Sequence, residues 1–271
     1  MKNIVICIDE TPLNSAVCEY GFLMAKNLNL DITFLHVIKT GVLSPNFLGL
    51  ATGGLVVVQE DSILLDVVKP TKEDIEKAEK LLEDAKNIAL KNGINANTCL
   101  QSGDLVETLM NYEKADVIVI GIGDESIKEN IIALSRECEA KILFVNKEFS
   151  SIDSALVAFD GEEASIKTLN FLKNSSIFGK NLEYHVINVN KDPVKSQTVL
   201  SKAKEILKDK NAKFISLSGA VSDELISYRR ANNLSIYVMG SFSKGIFATL
   251  FFGSTSQDVV ENALVPVFLA K

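Results

Sequence analysis

Four strand-like segments recur in the same order along these 271 residues, and that repetition limits the fold more than any other property of the sequence. Residues 2–9 (KNIVICID) and 154–160 (SALVAFD) are apolar runs closed by an aspartate, Asp9 in one and Asp160 in the other. Residues 32–38 (ITFLHVI) match 182–188 (LEYHVIN), where setting the only two histidines, His36 and His185, against each other aligns the two His-Val pairs. Residues 115–121 (ADVIVIG) correspond to 234–240 (LSIYVMG), and 141–146 (KILFVN) to 265–270 (VPVFLA).

Helix-period stretches alternate with these strands. In the first half they cover 14–28, 72–90, 104–112 and 127–138, the second opening with a Thr71-x-x-Asp74 cap. The second half echoes them at 164–174, 193–208, 222–231 and 254–262. Strands such as VIVIG are apolar throughout rather than alternating, as parallel strands covered on both faces must be. The pattern predicts an α/β chain of two consecutive doubly wound, mostly parallel five-stranded sheets. The domains are 1–147 and 152–271, joined by the short polar link 147–151. His36 and His185 are 149 residues apart whereas Gly103 and Gly219 are 116 apart, so the first half carries 33 extra residues. These map to 41–69, a glycine-rich apolar insert whose residues form a lid, a docking patch or local packing.

Composition narrows the partners. A net charge of −7 and a pI near 5.1 argue against nucleic acid, which needs a basic face. Cys7, Cys18, Cys99 and Cys138 lie far apart, with no CxxC and no histidine at metal spacing, so a reducing, cytoplasmic setting without a metal is expected, and Cys7, inside an apolar strand, reads as a buried free thiol. The amino-terminal apolar run breaks at Asp9, too early for a signal peptide, and the stretch 47–58 is too short to span a bilayer.

In doubly wound sheets the ligand lies beyond the carboxyl ends of the strands. In the second half Gly240 opens a loop, 240–256, containing Gly245 and Gly253 and running into a helix that begins near Ser254. Glycines let backbone N–H groups turn toward a ligand, and a helix start adds unpaired donors and a positive dipole end. Ser254, Thr255 and Ser256 add hydroxyls, and Lys244 adds charge. Such a loop is also an ordinary connector, since Ser254-x-x-Gln257 reads as a capping box. In the first half Gly121 and Ile142 are 21 residues apart where Gly240 and Val267 are 27 apart, and Asp124, Glu125 and Glu129 would repel phosphate, so no ATP is expected there.

These residues resemble the universal stress protein family. That family's signature, Gly, two residues, Gly, nine residues, then Gly-Ser or Gly-Thr, falls on Gly240, Ser243, Gly253 and Ser254, with Ser243 departing from the second glycine. A serine held where φ must be positive costs about 1 kcal/mol or more. The family's first-strand aspartate falls on Asp160, and its His-Val on His185-Val186. The resemblance implies a non-enzymatic stress-response protein that binds an adenine nucleotide, ATP with Mg, in the second half through Asp160, Val186, Gly240, Ser243, Lys244, Gly253, Ser254 and Thr255. It also implies an intramolecular pseudo-dimer with 142–145 and 267–269 near its axis, and it leaves a homodimer of such chains open. The alternative is an interaction protein with two vestigial sites, acting through its surface. No nucleophile elbow or activated loop points to an enzyme.

Overall fold

The computed structural model describes residues 3–40, 69–122, 133–135, 137–240 and 265–270. The first half contains β1 (Asn3–Cys7), α1 (Asn14–Leu28), β2 (Asp31–Lys39), α2 (Lys72–Lys91) and β3 (Ala96–Gly103). It continues with α3 (Leu105–Met110), β4 (Val117–Gly121) and β5 (Lys141–Val145). The second half contains β6 (Ser154–Ala158), α4 (Glu163–Asn174), β7 (Glu183–Val189), α5 (Pro193–Ile206) and β8 (Ala212–Leu217). It closes with α6 (Val221–Ala231), β9 (Ile236–Met239) and β10 (Val267–Leu269).

Local chemistry explains the helix starts. Thr71 and Asp74 form a reciprocal capping box at α2, each side chain bonded to the other residue's backbone N–H. At α5, Pro193 opens the helix while Asp192 accepts from the N–H groups of Val194 and Lys195. α1 stops at Asn29, which takes the left-handed conformation at φ 53°.

All ten strands join one sheet in the order β3-β2-β1-β4-β5-β10-β9-β6-β7-β8. Every neighbouring pair is parallel except β5 and β10, which run antiparallel. The two expected five-stranded sheets are thus fused edge to edge. Alternate residues of each strand feed opposite faces: Ile4 and Ile6 pack with α1 and α2, while Val5 and Ile118 pack with Leu109 of α3. The first face also takes Leu169 and Leu172 of α4, and the second takes Leu225 of α6.

The registers show how the halves correspond. Val119 pairs with Leu143 as Val238 pairs with Phe268, and Leu143 and Phe268 face each other across the antiparallel junction. A pseudo-twofold axis therefore passes through that pair, in agreement with the pseudo-dimer expectation.

One correspondence drawn from the sequence needs correction. Cys7 pairs with Leu35 and Ala158 with Ile187, so the counterpart of His36 is Asn188, not His185. Hydrogen bonds agree: His36 Nδ1 lies 2.8 Å from Ile8 O, and Asn188 Nδ2 donates to Phe159 O at 2.8 Å. His185 lies three residues deeper, opposite Leu156. His36 and Asn188 are 152 residues apart, and the corresponding Cys99 and Ile215 are 116 apart, so the first half carries 36 extra residues rather than 33. The insert 41–69 lies outside the described residues apart from Lys69.

Phe268 is fully buried against Phe171 and Phe178, with ring centroids 5.9 and 5.0 Å away. Phe268→Ala should cost about 3–5 kcal/mol, read as a lowered midpoint in urea unfolding. Phe149→Ala, at a ring 37% exposed, should cost about 1 kcal/mol.

Candidate functional site

The order β3-β2-β1-β4-β5 changes direction between β1 and β4, and β6 and β9 repeat this in the second half. Crevices at such points are where ligands enter doubly wound sheets. Both strand-end aspartates sit there.

Asp160 lies two residues beyond β6 and is exposed. Its Oδ1 accepts from Ser165 Oγ at 2.6 Å and from Glu162 N at 2.9 Å. Ser165 Oγ in turn accepts from Gly161 N at 3.2 Å, closing a turn that Gly161 makes at φ 83°. These bonds fix the carboxylate through one oxygen and leave Oδ2 without a protein partner among the described residues. Asp9 is held alike, its Oδ1 accepting from Thr11 N at 3.0 Å and Thr11 Oγ1 at 2.6 Å.

Gly240 ends β9 against the first turn of α4. A Cβ there would lie 2.8 Å from Ala164 C and 3.0 Å from Ser165 N, both backbone atoms. The glycine is thus demanded by packing, and that packing starts the 240–256 loop beside the Asp160 turn. Ser243, Lys244, Gly253, Ser254 and Thr255 lie outside the described residues, as do Asp124, Glu125 and Glu129.

Val186 sits mid-strand, fully buried, between Val157 and Phe214. The position corresponding to Val37 at the strand end is Val189, half-buried and paired with Leu217. Asn188, Val189 and Ser165 were not among the expected site residues. Their signal is the spacing from the strand-end aspartate: His36 follows Asp9 by 27 residues, Asn188 follows Asp160 by 28, and His185 follows it by 25. Asn188 is 5% exposed, and its Oδ1 has no hydrogen-bond partner among the described residues.

His185 is a packed side chain. Its Nδ1 is 3.0 Å from Tyr228 Oη, and its Nε2 is 3.3 Å from Glu183 Oε2 but poorly aligned for a hydrogen bond. Lys213 Nζ sits 2.9 Å from Glu183 Oε1, and Lys213 first, then His185, holds that carboxyl below its usual range. Among the described residues no group of three or more His, Cys, Asp or Glu is placed to hold a metal, and no helix is long and apolar enough to cross a membrane.

The first half holds a cavity of about 480 Å³ at its own switch point, lined by Asp9, Thr11, Val37, Lys39, Lys77 and Gly121 among others. Cys7 lies on its floor. Burial, with the Asp9 charge adding to it, pushes that thiol well above its usual value, and burial pushes Cys18 up to about 12. Both should react with iodoacetamide at least about a hundredfold more slowly in the native protein than in urea, as followed by mass spectrometry at neutral pH. Gly240→Ala should destabilise by about 1–3 kcal/mol, because the added methyl meets backbone rather than a movable side chain, and thermal unfolding would register it.

Comparison with known proteins agrees with this architecture. Residues 187–271 match the family model described as the Universal stress protein family. A curated universal stress protein of Synechocystis is 27% identical over 286 aligned residues, covering 98% of this chain and 99% of that one. Among solved structures, a universal stress protein from Archaeoglobus fulgidus aligns at a TM-score of 0.73 and 21% identity, covering 99% of this chain and 96% of its own. A functionally unknown protein from Pseudomonas aeruginosa aligns at 0.62 and 13% identity, covering 100% and 92%. With the strand order and the repeated strand-end aspartates in agreement, the second half matches the universal stress protein family over residues 187–271, and the chain, with two repeats in one polypeptide, is similar to universal stress proteins over nearly its full length.

Proposed function

We propose that the chain is a non-enzymatic stress-response protein that binds an adenine nucleotide in its second half. The observation that carries this reading is the orphaned acceptor Asn188 Oδ1, buried beside the strand end at Val189. Its amide is tied through Nδ2 to Phe159 O, the residue before Asp160. A buried acceptor without a donor costs about 1–3 kcal/mol, which a ligand N–H would offset. The adenine amine is a donor of that kind, and Asp160 Oδ2 accepts a second N–H or a ribose hydroxyl.

Val189 replaces Val186 as the strand-end residue of this site. The phosphates then fall to the loop that Gly240 starts: backbone N–H groups near Gly253, the hydroxyls of Ser254 and Thr255, and the charge of Lys244. Ser243, the departure from the family's glycine, sets the affinity of this phosphate end rather than the fit of the base.

A second reading is favoured by the first-half cavity, where Asp9, Val37 and Gly121 stand as Asp160, Val189 and Gly240 do in the second half. The ligand then occupies that cleft, with Lys39 and Lys77 as its cations.

Calorimetric titration of nucleotide-stripped protein with Mg·ATP separates the two. One equivalent bound by the wild type, weakened by more than about tenfold in Gly253→Glu and unchanged in Asp9→Ala, is expected. The opposite pattern moves the ligand to the first half, and no heat from well-folded protein sinks both readings and leaves the interaction protein.

A further inference from the structure

The pseudo-twofold axis duplicates each surface feature beside the β5–β10 junction, and one duplicated pair of grooves is filled unequally. On one side the linker between the halves crosses Tyr20. The Phe149 ring lies 4.7 Å from the Tyr20 ring, Ser150 N donates to Tyr20 Oη at 3.1 Å, and Tyr20 is fully buried. The linker then reaches Ser235, whose hydroxyl donates to Asp153 Oδ1 at 2.6 Å and accepts from Asp153 N at 3.4 Å.

On the other side lies an open groove of about 570 Å³, between the carboxyl ends of α1 and α4 and the starts of β4 and β5. Its residues are the counterparts of those under the linker. Phe171 follows Asp160 by the same eleven residues by which Tyr20 follows Asp9. Asp116 N donates to Asn3 O as Ser235 N donates to Ser154 O, so Asp116 stands where Ser235 stands. Lys141 stands where Pro266 stands, each one residue before a strand residue paired with Ile118 or Tyr237.

The chemistry differs in three ways. Phe171 is only half-buried, and no described residue covers it as Phe149 covers Tyr20. Lys141 Nζ lies 4.8 Å from the Phe171 centroid, a cation held against the ring. Asp116 Oδ2 is buried with no hydrogen-bond partner among the described residues, whereas the corresponding Ser235 is engaged by the linker. A half-exposed ring, stacked on Phe268 and flanked by the Lys141 ammonium, lies beside a buried carboxylate oxygen that no described residue bonds, and together they ask for a ring and a cation at the spacing that the linker uses.

We propose that this groove docks an extended segment of a partner protein that presents an aromatic side chain and, four residues later, a basic one. The ring packs against the exposed part of Phe171 as Phe149 packs, tilted, against Tyr20. The basic side chain meets Asp116 where Asp153 meets Ser235. Lys141, beside the ring, favours an acid just before the aromatic residue, the place that Glu148 holds before Phe149 in the linker. Nothing in this assignment depends on whether a nucleotide binds.

Fluorescence anisotropy with the full-length chain tests it. The probe is a labelled peptide of residues 147–153 carrying Asp153→Lys. Saturable binding is expected, at least about tenfold tighter than that of the same peptide with Phe149→Ala added, and tighter than that of the peptide keeping Asp153. The chain variant Asp116→Ser, its fold verified by circular dichroism, should lose the preference for Lys over Asp. Absence of saturable binding, equal binding of the two charge forms to wild type, or a preference that survives Asp116→Ser would each overturn the assignment. So would competition by free phenylalanine amide as effective as that of the peptide, since the groove would then be a small-molecule pocket.

Discussion

Three residue pairs across β5 and β10 hold together what would otherwise be two separate sheets: Val267 with Phe144, Phe268 with Leu143, and Leu269 with Ile142. These two strands would each be an exposed apolar edge in an isolated half, an invitation to aggregate. Pairing them inside one chain satisfies their backbone groups and buries their side chains completely or nearly so. The edges that remain, β3 and β8, are of a different character, with half-buried and exposed residues interspersed along them. The antiparallel sense of this one pair also creates the pseudo-twofold axis, and with it every correspondence between the halves.

Much of this was legible in the sequence because the strands of a covered sheet are monotonous. VIVIG at β4 and ALVA within β6 can be little else, and the aspartates that close β1 and β6 mark where each strand gives way to a turn. The same monotony hides register. His185-Val186 imitates His36-Val37 in letters, yet the pairing of Ala158 with Ile187 puts Asn188 and Val189 in those places. A histidine survives deep in β7 because Tyr228 on α6 offers its hydroxyl, a partner that no local pattern announces. Gly240 carried a similar ambiguity. It reads as part of a phosphate loop, and the structure adds a steric reason in the backbone of Ala164 and Ser165. The half-buried Phe171 was not legible at all, since its meaning comes only from comparison with Tyr20 across the axis.

Equivalent positions carry different chemistry in the two halves, at the strand ends and at the junction that the linker crosses. At the strand ends, a histidine ring in one half and an amide in the other make the same bond to the preceding strand, but only the amide retains a buried spare acceptor. At the junction, a serine bound by the linker in one half corresponds to a carboxylate oxygen that no described residue bonds in the other. At Gly121 and Gly240 the halves keep the same residue: a Cβ at Gly240 would strike the backbone of Ala164 and Ser165, and one at Gly121 would crowd the Val17 side chain at 3.2 Å.

The direction of the strands has a consequence for what the molecule can tell its surroundings. Each switch-point crevice opens beyond the carboxyl ends of its own strands, and the antiparallel junction turns those ends toward opposite rims of the sheet. The two crevices therefore open at opposite poles of the sheet. A partner of modest size seated over one pole would not touch the other.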